Sequence, residues 1–441
     1  MYVADRKWLL LALVLLVLSL APAPAEQRFP PPDFSETHHQ LPATTTPPAR
    51  ADWLQFADIA VLAGCLALAT WLVHRRRSRR GLAWLGVFSL LYFGFWRHGC
   101  VCAIGAPQNV ILGLFDPSYA VPLSVTAFFV LPLVFALFAG RTFCAAVCPH
   151  GALQDLVLLK PKPVPPWLEH GLGLLPFVFL GAGLWLATTG SIFLFCHYDP
   201  FVPLFRFGGR SAMVLTGMAL LLLGTVIGRP YCRFACPYGA LLKLAAIVAK
   251  WRVRTTPDVC TQCRLCEKSC PYGALREPET AARPPTLPRD RRRLGWTIAA
   301  LPLLVAAGIA VGDRLSGPAA GLNPEVALAR NLAAQADTPP PLVPMTPEEH
   351  ALSRAHLDPA KVLQRGAELE RQVRVGGWIF GAWLGLVIGG KLLSLALHRN
   401  RKDYEPDRGA CVACARCFDY CPQELARKGI LPATARPAAT G

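Results

Sequence analysis

Cysteine supplies most of the chemistry open to this chain. Its 441 residues include 16 cysteines, and twelve fall into four short motifs that each close on Cys-Pro. Two motifs are complete runs: Cys260, Cys263, Cys266 and Cys270 before Pro271, and Cys411, Cys414, Cys417 and Cys421 before Pro422. In the C-x2-C-x2-C-x3-C-P spacing one loop offers three thiolates to three corners of a cubane, and the fourth Cys serves the other cluster. The spacing predicts one [4Fe–4S] cluster on Cys260, Cys263, Cys266 and Cys421, and a second on Cys411, Cys414, Cys417 and Cys270. Four thiolates can also hold zinc, but two full runs with prolines in register favour clusters.

The other two motifs are half-sites. GRTFCAAVCPHGALQDL at 140–156 returns as GRPYCRFACPYGALLKL at 228–244. Cysteines four apart share a helical face, so Cys144 and Cys148 with Cys232 and Cys236 are expected to close one shared four-thiolate site on neighbouring helix ends, the packing of small thiols being the alternative. Each copy follows a loop that carries cysteine and Asp-Pro, HGCVCAIGAPQNVILGLFDPS at 98–118 and FCHYDPF at 195–201. Cys100, Cys102, Cys196 and His197 are read as an outer metal centre, with a disulfide in an oxidising compartment as the equal alternative. No catalytic residue and no substrate site stand out.

These residues need a membrane scaffold. The chain is 53% hydrophobic, and apolar segments lie near 53–73, 82–96, 121–139, 172–189, 211–228, 294–312 and 376–397. The predicted fold is mainly α, a polytopic membrane protein with about seven transmembrane helices. Residues 1–25 read as a signal peptide, with Arg6 and Lys7, an apolar run from Trp8 to Leu20, and Ala23-Pro24-Ala25 as the cleavage site. A Pro/Thr-rich periplasmic segment at 26–52 follows. Basic clusters at Arg75–Arg80, Lys160 and Lys162, Arg289–Arg293, and Arg399–Lys402 all fall on one side under this count. That side is the cytoplasmic face of a bacterial inner membrane, with the amino terminus periplasmic. The formal net charge of +17 is therefore spent on orientation and lipid, not on nucleic acid.

The boundaries follow: a transmembrane core at 53–249 holding the repeat, one half of a small α+β 2[4Fe–4S] ferredoxin domain at 250–293, a transmembrane hairpin at 294–397, and the other half at 398–441. The hairpin's stretch 313–372 is read as a periplasmic loop with an Ala/Pro-rich spacer and a short helix. Arg97 and His98, beside the outer cysteine loop, are candidate contacts for a quinol headgroup or phospholipid.

In its paired Cys-x3-Cys-Pro motifs and its two ferredoxin runs the chain resembles the membrane polyferredoxin family of NosR-, NapH- and CcoG-like proteins. It is most similar to the membrane half of NosR-like members without their flavin-binding domain. The resemblance implies electron transfer coupled to a periplasmic reductase or to its maturation. The expected function is a relay of electrons between a quinol or cytoplasmic donor and a periplasmic redox protein, flavoprotein or cytochrome. An assembly factor for a respiratory metalloenzyme and a membrane redox sensor are the alternatives. The split ferredoxin departs from the contiguous arrangement usual in the family.

Overall fold

The computed structural model describes residues 53–99, 103–256, 260–278, 287–337, 358–396 and 403–431. The expected signal peptide, the segment 26–52, Cys100 and Cys102 lie outside them.

Helices occupy each of the seven apolar segments. In the repeat region they are α1 (Trp53–Trp71), α2 (Arg79–Ser89), α3 (Leu123–Ala139), α4 (Pro149–Leu156), α5 (Leu175–Thr188), α6 (Ser211–Gly224), α7 (Pro230–Phe234) and α8 (Pro237–Ile247). A π-helical stretch, Leu90–Trp96, extends α2. Four helical runs are long and apolar enough to cross a membrane: Trp53–Arg76, Pro166–Thr188, Arg292–Ala320 and Pro359–Ala396. The helices α3 and α6 are apolar but shorter. The protein is thus a mainly helical membrane protein.

Beyond the repeats come α9 (Leu265–Ser269), β1 (Leu275–Arg276), α10 (Leu287–Ala320), α11 (Pro324–Asp337), α12 (Pro359–Ala396), β2 (Glu405–Pro406), α13 (Arg416–Tyr420) and α14 (Pro422–Arg427). Of the stretch 313–372, expected as a loop with a spacer and a short helix, the described residues are largely helical: α10 runs on to Ala320, α11 follows, and α12 begins at Pro359. Its Ala, Leu, Glu and Arg content favours helix. With 34 and 38 residues, α10 and α12 reach about 51 and 57 Å at 1.5 Å per residue. Both exceed a hydrocarbon core of about 30 Å.

Glycine lets α10 and α12 close on each other. Gly308 and Gly312 face Gly377, Gly381 and Gly385, and a Cβ at any of them would strike the backbone of the opposite helix. The apolar window of α10 is otherwise unburied, as a lipid-facing helix requires. The helix α12 docks on the repeat core by reciprocal tryptophans. Trp185 donates to the Val373 carbonyl and Trp383 to the Phe177 carbonyl, each across 2.9 Å, over Gly376 and Gly181 respectively.

The strands on either side of the hairpin meet. Leu275 pairs with Pro406 and Arg276 with Glu405 in an antiparallel ladder.

Candidate iron–sulfur centres

The two complete cysteine runs share one backbone path. Around the second cysteine the chain turns left-handed twice, at Gln262 (φ 54°) and Arg264 (φ 62°), and again at Ala413 (φ 54°) and Ala415 (φ 62°). Such turns cost energy for residues with a side chain and here wrap amides around sulfur: the Gln262 amide donates to Cys260 Sγ at 3.4 Å. A short helix then carries the third cysteine, α9 in one run and α13 in the other.

Every motif ends in one conformation. Cys148 has φ −76° and ψ 119°, Cys236 −68° and 112°, Cys270 −83° and 106°, and Cys421 −84° and 114°. The proline that follows excludes the helical region for the residue before it and suits the first position of the next helix. This corrects the expectation that each Cys-x3-Cys pair shares a helical face. Cys144 lies in a π-helical turn, Phe143–Val147, and Cys232 in α7, whereas Cys148 and Cys236 have left the helix and cap α4 and α8.

The fold brings three sets of thiols together. Cys270 lines one hollow with Cys411, Cys414 and Cys417, and all three feel its charge. Cys421 lies in the electrostatic field of Cys260 and Cys263, and Cys266 in that of Cys421. The fourth cysteine of each run thus stands with the opposite run. Burial pushes the Cys411 thiol up to about 12 and Cys266 to about 11, while Cys263 is exposed. Among the described residues no three His, Cys, Asp or Glu side chains converge on a single-ion position.

The third set joins the repeats: Cys236 has Cys232, Cys148 and Cys144 as electrostatic neighbours, and Cys232 has Cys144. Donors already point at their sulfurs. Arg141 Nη2 lies 3.6 Å from Cys144 Sγ, Gln154 Nε2 3.2 Å from Cys232 Sγ, and the Gly239 amide 3.2 Å from Cys236 Sγ. Arg141 is 7% exposed, its side-chain bonds go to that thiol and to the Gly409 carbonyl, and its buried Nε has no partner. A buried guanidinium calls for an anion. A four-thiolate iron–sulfur cluster, itself anionic, fits this site.

The two repeat arginines cross over. Arg229 Nη1 lies 3.1 Å from the place a Gly151 Cβ would take, and Arg141 Nη2 3.4 Å from that of Gly239. Arg229 is fully buried and donates to the carbonyls of Cys144 and Ala145. It differs from Arg141 in having a carboxylate, Asp155, at 3.2 Å from Nε and 3.1 Å from Nη2. Asp155 also accepts from Arg79 at 2.8 Å and from Tyr272 at 2.7 Å, with Arg416 at 3.8 Å. Burial alone would raise this carboxyl, but Arg229 and Arg79 outweigh it and hold it well below the usual carboxylate range. Arg79 donates to the Cys414 carbonyl at 3.4 Å and Tyr272 lines the hollow of Cys270, Cys411, Cys414 and Cys417, so Asp155 sits at the junction of two thiol sets. Sequence reasoning missed it. The signal was present, because Asp155 aligns with Lys243 in the second repeat and the repeats reverse charge there.

Of the four residues expected at an outer centre, Cys196 and His197 lie among the described residues. Cys196 Sγ would lie 2.9 Å from a Cβ on Gly105, and His197 Nε2 accepts from Arg210 at 2.6 Å, which occupies that nitrogen. Arg97 is paired with the buried Asp58 at 3.0 Å, and Tyr92 donates to the same carboxylate at 2.9 Å. His98 Nδ1 lies 3.4 Å from the Phe205 carbonyl. A link the motifs did not suggest joins the two levels: His150, next to the Cys148-Pro149 turn, lies 3.2 Å from both oxygens of Asp199 in the Cys196 loop, and both side chains are buried.

Comparison with known proteins accords with these centres. A family model described as a 4Fe-4S binding domain matches residues 121–166 and 211–255, one match per repeat, and a second model of that description matches 252–275. An uncharacterised protein of Methanocaldococcus jannaschii is 30% identical over 190 residues, 41% of this chain and 77% of that protein. The putative electron transport protein YccM of Escherichia coli is 28% identical over 32% of this chain and 43% of its own length. The regulatory protein NosR of Pseudomonas aeruginosa is 28% identical over 49% of this chain and 33% of its own. The chain thus spans less than half the length of YccM and NosR. No solved structure matches. Repeated 4Fe-4S matches, apolar spans and relatives of this kind identify the chain as a member of the NosR/NapH-like membrane polyferredoxin family.

Proposed function

We propose that the chain relays electrons between a quinol or cytoplasmic donor and a periplasmic redox partner. Cys260, Cys263, Cys266 and Cys421 would hold one [4Fe–4S] cluster, Cys411, Cys414, Cys417 and Cys270 a second, and Cys144, Cys148, Cys232 and Cys236 a third. Bound clusters supply one-electron exchange. The protein's part is ligation, exclusion of water and hydrogen bonding to sulfur, here from Arg141, Gln154 and the Gly239 amide. The observation that carries this reading is the stacking of the second ferredoxin set on the repeat set through Arg79, Asp155 and Arg229.

The pairing of β1 with β2 supports a ferredoxin split by a transmembrane hairpin, and the basic clusters support a cytoplasmic location for it. The contact of His150 with Asp199 supports a short route from the third site toward the Cys196 loop. The test is iron and sulfide stoichiometry with EPR on anaerobically purified protein. Three clusters are expected, and a Cys144/Cys232 double substitution should remove one signal and keep two. Two clusters in both proteins would refute the relay as drawn. A regulatory role is the second reading, favoured by the name of the similar NosR protein. It predicts altered transcription with normal respiratory flux in a deletion strain.

A further inference from the structure

We infer that Asp155 is the shared counter-charge of two adjoining redox centres, lowering the midpoint potentials of the repeat site and of the Cys270/Cys411/Cys414/Cys417 site together. This rests on the reading of both thiol sets as cluster sites, and it assigns a positioning residue that is not one of the cysteine ligands.

The geometry gives Asp155 two faces. Toward the repeat site it holds Arg229 through both carboxylate oxygens, and Arg229 in turn caps the carbonyls of Cys144 and Ala145. Toward the ferredoxin hollow it holds Arg79, Tyr272 and, more loosely, Arg416. Arg79 reaches the carbonyl of Cys414 itself. The carboxylate side chain is 9% exposed, so water screens it little.

The symmetry of the repeats sharpens the point. At the aligned position the second repeat carries Lys243, which packs its stem against Gly409 on the ferredoxin half. One repeat arginine is therefore neutralised at the junction and the other is not. A nearby anion stabilises the more positive, oxidised state of a redox centre, and a nearby cation the reduced state. Removing the carboxylate would expose both centres to Arg229 and Arg79 unopposed.

The Cys260/Cys263/Cys266/Cys421 set stands apart from the partners of Asp155, which are Arg79, Arg229, Tyr272 and Arg416. The charges felt by Cys266 are those of Cys260, Cys421 and Cys263, and those felt by Cys421 include Cys263 and Cys260. It serves as an internal control.

The experiment is an EPR-monitored redox titration of full-length protein in detergent, comparing wild type with Asp155→Asn, Asp155→Glu and Arg79→Gln. Asp155→Asn should shift two of the three potentials upward and leave the third in place, and Asp155→Glu should return them toward wild type. Arg79→Gln should shift the Cys270/Cys411/Cys414/Cys417 signal downward. A contact that only holds the domains together would not give opposite signs for the two partners of one ion pair. If Asp155→Asn does not fold, the downward shift in Arg79→Gln still decides the matter. Three intact signals with unmoved potentials, or three moving together, would overturn the inference. Absence of any signal dependent on Cys144 and Cys232 in the wild type would instead overturn the underlying reading of the repeat site.

Discussion

The guanidinium of Arg229 lies 3.1 Å from the point where a Gly151 side chain would begin, and Arg141 makes the mirror approach to Gly239 at 3.4 Å. Each repeat keeps a glycine because the other repeat's arginine passes over it. Gly151→Val and Gly239→Val should each cost about 1–3 kcal/mol through overpacking and weaken any signal tied to the four repeat cysteines. Gly64→Val, which meets nothing within 4 Å, should leave that signal unchanged. Thermal unfolding with EPR on each variant checks this.

Glu424 is a second buried anchor between the parts. Its side chain is inaccessible to solvent, with Arg77 at 2.5 Å and Arg427 at 2.7 Å, and the Arg77 guanidinium stands 4.2 Å from the Phe418 ring centroid. Arg77→Met should cost about 1.5–3 kcal/mol, the range for a hydrogen bond to a charged group, because Arg427 and Lys428 remain beside the carboxylate. The double variant Arg77→Met/Glu424→Gln should recover part of that loss. Denaturant melts of the three proteins test both statements.

The glycine seam between α10 and α12 sets how α12 meets the tryptophans of the core. Gly312→Leu and Gly381→Leu should force the two helices apart, at or above the upper end of the 1–3 kcal/mol range for overpacking. Because β1 and β2 flank the hairpin, signals from both ferredoxin runs should fall in step. Unequal loss of the two would show that the seam does not control strand pairing.

Burial raises the Cys411 thiol to about 12 and Cys266 to about 11. A pKa raised on folding stabilises the metal-free fold below the ordinary thiol value of about 8.5, and that stability is lost as pH climbs through the folded values. The metal-free chain should thus melt at progressively lower temperature between about pH 8.5 and 12. Reconstitution with iron and sulfide should release protons, because ligating cysteines are thiolates. Circular dichroism melts and a pH-indicator dye would check the two effects.

What the sequence disclosed followed from short-range rules. Cys-Pro dictates its own backbone, and the repeat was visible as identical letters at equal spacing. Long-range electrostatics stayed hidden: Asp155 looks like a surface acid in GALQDL until Arg229, Arg79 and Tyr272 arrive from three other segments. Arg97 looked available for a ligand because its partner, Asp58, lies in a separate apolar helix. Helix length was misjudged at 313–320, where polar helix formers continue a span beyond its apolar window, and the short helix expected near the end of the stretch is continuous with the next span in α12.

The interleaving of the two ferredoxin runs also dictates an order of manufacture. Cys270 stands with Cys411, Cys414 and Cys417, and Cys421 with Cys260 and Cys263, so one set of four is complete only when residue 417 has been made and the other only at residue 421. Between the two runs lie α10 and α12, which are made before the second run. A nascent chain halted before residue 417 carries neither ferredoxin set complete, so on the proposed topology both helices of the hairpin are made before the ferredoxin part can be loaded.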